Sequence, residues 1–228
     1  MKRVWVTRTE PGASRLGSFL KSKGYVPFVA PVMEIHATDD PRPRKSIDLW
    51  VFVSTHAVGH AVSSGWSTSG KCVAVGTATA DALKAHVSDV AVPRVQSTEG
   101  LLELIQRDFV TNTSVCIVAG RGGRTDLEKG LREHDYDVNT WLAYKRCPTQ
   151  FNVKLEGIDA ILIGSGAALS PVMDTLRKSQ IPCAKWPHII VPSERIANFA
   201  KTQGLGNVFV AQGASKEAVL QALSALDD

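Results

Sequence analysis

The chain has 228 residues, 44% of them hydrophobic and 21% charged, with a formal net charge of +4. That composition is ordinary for a soluble globular protein and long enough to bury a sizeable core, so disorder is not indicated. Lys and Arg are dispersed rather than run together with aromatics, which argues against nucleic-acid binding, while the positive balance suits an anionic ligand.

The N-terminal Met1-Lys2-Arg3-Val4-Trp5-Val6-Thr7-Arg8 passes from two basic residues into a short strand and meets Arg8 and Glu10. It is therefore read as neither a signal peptide nor a membrane span, and a cytoplasmic location is expected. Cys72, Cys116, Cys147 and Cys183 are scattered, with no C-x-x-C pair and no His at ligand spacing. Buried free thiols are expected, and neither a metal site nor a disulfide framework is.

In chain order, Val4–Arg8 reads as a strand, and Pro11–Ser14 opens a helix with Leu16, Phe19 and Leu20 on one face. Tyr25–Ala30 is a second strand, and Val32–His36 alternates as a half-exposed strand should. The stretch from Asp39 to Arg44, with Pro41 and Pro43, is a connector. Ile47–Val53 is a nearly continuous apolar run ending in Ser54-Thr55, the pattern of a strand buried on both faces of a parallel sheet. A helix over Ala57–Ser63, a strand at Cys72–Val75, a helix through Ala82–Ala85, a brief strand at Val90–Val92 and a helix over Leu101–Phe109 follow. Strands are next expected from Val115, at Trp141–Arg146, from Ile158 into Gly164, at His188–Val191 and at Val208–Ala211. Helices are expected from Ser193 and from Lys216 to Leu226, the last with Ala218, Val219, Ala222 and Leu223 on one stripe. Strands alternating with helices indicate α/β architecture with mostly parallel sheets.

The chain also looks duplicated. A shift of 111 positions carries Ile47, Asp48, Ser54 and Ala57 onto Ile158, Asp159, Ser165 and Ala168. The same shift carries Val4, Leu16, Leu20 and Tyr25 onto Val115, Leu127, Leu131 and Tyr136. Taken alone, the repeat places a boundary near residue 111.

Four strand ends run into small or hydroxyl residues: Ser54-Thr55-His56, Gly76–Thr79, Gly120–Arg124 and Ser165-Gly166-Ala167. Beyond strand carboxyl ends, helix N-termini present free N–H groups that suit carboxylates or phosphates, though ordinary helix capping gives the same residue types. The Gly120 turn lacks both G-K-[ST] and G-x-G-x-x-G, so a nucleotide-dependent transferase is disfavoured. It is a tight turn that offers Arg121 and Arg124 to an anion. Ser54 beside His56 is not read as a nucleophile, since no G-x-S-x-G elbow or orienting acid accompanies it. Arg8 at the end of the first strand is a candidate carboxylate partner, and Tyr144 on a half-exposed strand is a candidate for a polar role.

Together, Val4-x-Val6-Thr7-Arg8, Ser54-x-x-Ala57-Val58, Ala74-Val75-Gly76-x-x-Thr79-Ala80, Ser97-x-Glu99-Gly100-Leu101-Leu102, the Gly120–Arg124 turn and Ala143-Tyr144-Lys145-Arg146 resemble the uroporphyrinogen-III synthase family, bacterial type. The resemblance covers nearly the whole chain and departs from the family's pattern at Thr9, Ala119 and Pro192–Arg195. It implies two similar α/β domains, 1–32 plus 149–228 and 39–141, joined by an antiparallel connector of 33–38 and 142–148 with the active-site cleft between them. That arrangement moves the boundary away from residue 111. It also implies cyclisation of hydroxymethylbilane to uroporphyrinogen III, with inversion of ring D through a spiro intermediate and loss of water. The substrate carries eight carboxylates, and no cofactor or metal is implied.

Under this resemblance Arg8, Ser54, Thr55, His56, Thr79, Gly120, Arg121, Ser165, Gly166 and Ala167 are the substrate-binding candidates. Tyr144 is the candidate that assists loss of the hydroxyl, worth about 10- to 1000-fold as a hydrogen-bond donor. A monomer receiving its substrate from hydroxymethylbilane synthase is expected. The alternative from another class is a non-catalytic two-domain protein that binds an anionic small molecule.

Overall fold

The elements follow the apolar runs. In the first quarter of the chain, β1 (Arg3–Val6) leads to α1 (Gly12–Ser22), β2 (Val26–Val29) and β3 (Met33–Ala37). Next come β4 (Leu49–Phe52), α2 (Thr55–Ser63), β5 (Lys71–Ala74), α3 (Thr77–Lys84) and α4 (Thr98–Asp108). β6 (Ser114–Gly120), α5 (Asp126–Glu133) and the long β7 (Asp137–Pro148) complete the middle. The C-terminal part holds β8 (Ala160–Leu162), α6 (Leu169–Lys178), β9 (His188–Val191), α7 (Glu194–Thr202), β10 (Val208–Val210) and α8 (Lys216–Ser224). These assignments come from a computed structural model that describes residues 1–43, 45–123 and 125–226. Arg124, one of the two arginines expected at the Gly-rich turn, and Arg44 lie outside the described residues.

The chain divides into two units, Met1–Glu34 with Cys147–Asp228, and Ile35–Arg146. The first is built on a five-stranded sheet of order β10-β9-β8-β1-β2, and the second on one of order β3-β7-β6-β4-β5. In the first sheet β1 runs parallel to β2 and β8, and β9 parallel to β8 and β10. In the second β4 runs parallel to β5 and β6, and β6 parallel to β7. A cut near residue 111 fails, because β6 on its C-terminal side pairs along its length with β4 on its N-terminal side.

Period-two alternation explains the unbroken apolar strands. In β4, Trp50 and Phe52 enter one core with Ala57, Ala61 and Trp66, while Leu49 and Val51 enter another with Leu101, Ile105 and Leu131. In β1, Trp5 faces Leu169 and Val172, whereas Val4 and Val6 face Leu16, Leu20 and Leu223. Both faces of each sheet are thus covered by helices, as parallel sheets require.

Three local expectations change. Val90–Val92 is reduced to a single bridge, Val73 to Ala91, because Pro93 supplies no N–H to extend the ladder. Leu169–Lys178 is a helix between β8 and β9 that the sequence reading left unassigned. Its Pro171 lies in the first turn, where a missing N–H breaks no helical bond. Of the cysteines, Cys72 and Cys116 are buried, but Cys147 is only partly so and Cys183 is exposed. Burial pushes the Cys72 thiol up to about 11 and that of Cys116 up to about 12, so both are neutral core residues.

Candidate active site

The polar centre of the second unit is assembled by a bulge. β6 and β7 stay in step through Ala119 opposite Leu142, then the register shifts and Gly120 faces Tyr144. Bulges re-aim side chains, and here the shift is held by a hydrogen bond of 2.7 Å from the Arg121 N–H to the Tyr144 carbonyl. The tyrosine ring then lies across Gly120, where a Cβ would come within 2.5 Å of two ring carbons. Only glycine leaves that space.

Tyr144 is 2% exposed, so the half-exposed ring expected from its strand is instead packed almost completely. Its hydroxyl is engaged twice. It lies 2.9 Å from the Ser54 hydroxyl and accepts a hydrogen bond of 3.1 Å from an Arg146 Nη. The Arg146 guanidinium also sits 5.3 Å from the ring centroid, within cation–π range. His60 stacks on the ring at 5.8 Å and 18°, and His56 is tilted against it at the same distance. Ser54 reaches this place because it ends β4 and caps α2, accepting the Ala57 N–H at 3.1 Å.

Tyr144, Arg146 and Gly120 line a pocket of about 690 Å³. Gly122, Gly123 and Thr125 on the way into α5, and Ser97 and Thr98 at the start of α4, contribute to the same wall. Gln96, also in the wall, accepts the Thr77 N–H through its side-chain carbonyl at 3.3 Å. It thereby serves a helix whose own cap residue, Gly76, has no side chain. Polar groups and helix N-termini therefore converge on an apolar-floored cavity large enough for a small molecule.

The other candidates are placed as follows. Arg121 does not line the pocket and pairs with Asp40 at 2.8 Å; among the described residues the arginine that lines it is Arg146 from β7. Thr55 is exposed in the first turn of α2, and Thr79 is 4% exposed in α3, neither lining this cavity. In the first unit Arg8 donates to the Ala214 carbonyl and packs its stem over Gly164, and burial lowers its pKa. Ser165 begins a 3-10 turn at Gly166–Ala168 and, unlike its repeat partner Ser54, makes no side-chain cap. Ala167 borders a separate groove of about 840 Å³ between residues 148–156 and α6.

Sequence reasoning missed Arg146, His60 and Gln96. Two of them carried a signal: Arg146 is two residues from Tyr144 on a strand, and His60 is four from His56 on a helix, so each pair shares a face.

The histidines beside Tyr144 are disfavoured as cations. Desolvation lowers the His56 pKa first, with Arg146 and then His60 adding repulsion. Desolvation likewise lowers that of His60, with His36 adding to it. Both imidazoles are thus neutral in the folded protein over a range where the unfolded chain already takes up protons. Stability from this source is complete above the free-histidine value of about 6.5 and is lost as pH falls below it. The melting temperature of the wild type should fall more steeply than that of His56→Gln between about pH 7 and about pH 5. Parallel curves would show that His56 does not contribute.

Among the described residues no group of His, Cys, Asp or Glu is placed to hold a metal ion, and no helix is long and apolar enough to cross a membrane. The fold and the pocket define a class: an α/β protein with two mostly parallel-sheet units and, in the second, a tyrosine-centred pocket lined by polar groups and helix N-termini. The family model described as uroporphyrinogen-III synthase HemD matches residues 14–221. The chain belongs to that family, the cyclising lyases of haem biosynthesis. The uroporphyrinogen-III synthases of Salmonella typhimurium and Escherichia coli are each 26% identical to it, over 96% of this chain and 99% of the relative. The fold is also that of the Helicobacter pylori enzyme structure, with a TM-score of 0.66, 17% identity and 99% of each chain covered. A mutant Thermus thermophilus synthase matches at 0.58, with 16% identity, over 100% of this chain and 99% of that one.

Proposed function

We propose that the pocket over Tyr144 is where hydroxymethylbilane loses its hydroxyl on the way to uroporphyrinogen III. The observation that carries this reading is the phenol oxygen of Tyr144, held by Ser54 and Arg146 beside a cavity of about 690 Å³ that Tyr144 and Arg146 line. The C–O bond of the hydroxymethyl group breaks with its electron pair going to oxygen, and the pyrrole nitrogen lone pair fills the carbon. The departing oxygen takes a hydrogen bond from the phenol and leaves as water. The carbon so activated is attacked first by the ring D carbon already bonded to the chain, giving the spiro intermediate. That older bond then breaks, the free α carbon of ring D takes its place, and the proton it sheds replaces the one carried off with the water, so the enzyme ends unchanged. The substrate supplies its own nucleophile and electrophile, so the protein's part is chiefly positioning.

The amides at the starts of α4 and α5 are the carboxylate-holding groups of this pocket. In the other unit the Ser165–Ala167 turn and Arg8 are assigned the same task for further carboxylates, and Arg8 must first release the Ala214 carbonyl. The chain passes between units at Glu34–Ile35 and Arg146–Cys147, which supports 33–38 and 142–148 as the connector. Because free hydroxymethylbilane closes spontaneously to the uninverted isomer, the enzyme is placed in the cytoplasm as a monomer, beside the hydroxymethylbilane synthase that supplies it.

Purified protein given fresh hydroxymethylbilane should yield the type III isomer. Type I product alone, at the spontaneous rate, would refute the reading and leave a binding protein. Tyr144→Phe should lower kcat about 100-fold with the type III preference retained, since the ring still shapes the pocket.

A further inference from the structure

Two of the groups around Tyr144, Arg146 and Ser54, contact its phenol oxygen directly. Arg146 can only donate, and one Nη is 3.1 Å from the phenol oxygen. The Ser54 oxygen already accepts the Ala57 N–H at 3.1 Å, which leaves its own proton for a partner, and the phenol oxygen is 2.9 Å away. A phenol oxygen has two lone pairs and one proton. Arg146 takes one of those lone pairs, and if the Ser54 hydroxyl, which can donate or accept here, donates to the other, the phenolic proton is left to point elsewhere.

We propose that Arg146 and Ser54 are positioning residues that act through Tyr144, both donating to its oxygen so that its own proton is directed at the leaving hydroxyl. This rests on the role given to Tyr144 above and adds what sets its direction. As the hydrogen bond to the departing oxygen strengthens, negative charge builds on the phenol oxygen, and two fixed donors meet it. Such donors cost no reorganisation at that moment, which is the advantage of a preorganised site. Ser54 is fixed because it is the N-cap of α2, whose N-terminus adds partial positive charge at the same spot. Arg146 is fixed because its guanidinium lies against the ring it serves. The bulge at Gly120 places the acceptor between them.

The test is a double-mutant cycle on steady-state formation of the type III isomer. Arg146→Met should lower kcat about 30-fold while KM changes less than about 3-fold, and Arg146→Lys should recover most of that loss. In a Tyr144→Phe background, Arg146→Met and Ser54→Ala should each lower kcat by less than about 2-fold, because the oxygen through which they act is gone. Losses that multiply in the double variants would overturn the proposal. So would a rise in KM at unchanged kcat for Arg146→Met, which marks direct binding of a substrate carboxylate. A Tyr144→Phe single variant as fast as wild type gives a different signature, since it removes the phenol from the reaction altogether. Should Arg146→Met fail to fold, Ser54→Ala crossed with Tyr144→Phe reads the same coupling.

Discussion

Gly120→Ala is expected to lower kcat about 1000-fold and to destabilise the second unit by about 2 kcal/mol. The added Cβ would lie 2.5 Å from two carbons of the Tyr144 ring and 2.9 Å from its oxygen. A flexible surface side chain would swing aside, but this ring is 2% exposed and in contact with both His60 and Arg146. Either β6 and β7 separate at the bulge or the ring tips into the pocket, and both outcomes break the contacts to Ser54 and Arg146. The effect should exceed that of Tyr144→Phe, because that variant loses one proton donor whereas this one displaces the ring and fills part of the cavity. Steady-state kinetics beside a denaturant melt checks it. A variant with wild-type kcat would mean that the ring position is not tightly required.

Gly100→Ala should have the larger effect on stability, about 3 kcal/mol. A Cβ there would stand 2.0 Å from the Val95 carbonyl oxygen and 3.0 Å from its carbon, so the obstacle is backbone and cannot rotate away. Gly100 donates its N–H to the Ser97 hydroxyl at 3.2 Å, so the substitution also strains the cap of α4. Leu101, Leu104 and Ile105 of that helix are core residues of the second unit. Urea unfolding of the variant should show a lower midpoint with an unchanged slope, as a native-state clash without change in exposed surface requires. A midpoint equal to that of the wild type would show that the Val95 loop yields freely.

Much of this was legible from residue order. The apolar run Leu49–Phe52, the serines Ser54 and Ser97, and the glycines after β5 and β6 each announce a strand end or a helix start by local chemistry. Tyr144 could be singled out because it sits on a strand among polar neighbours. The roles of individual polar groups could not be read in the same way. Ser54 and Ser165 are equivalent in the repeat, yet one caps a helix and contacts a phenol while the other makes no cap. Arg121 is the arginine nearest the Gly-rich turn in sequence, but it pairs with Asp40 and Arg146 occupies the pocket.

The sequence by itself therefore determined two repeated α/β halves, the positions of their strand ends and the family to which they belong, because burial on a sheet enforces a period that side-chain hydrophobicity records directly. Only the tertiary structure decided that Ser54 meets Tyr144 across 90 residues, that Gly120 makes room for the ring, and that Arg146 rather than Arg121 serves it. A hydrogen bond depends on register to a fraction of a residue spacing. That register was set here by one bulge between β6 and β7, which leaves no trace in hydrophobic periodicity.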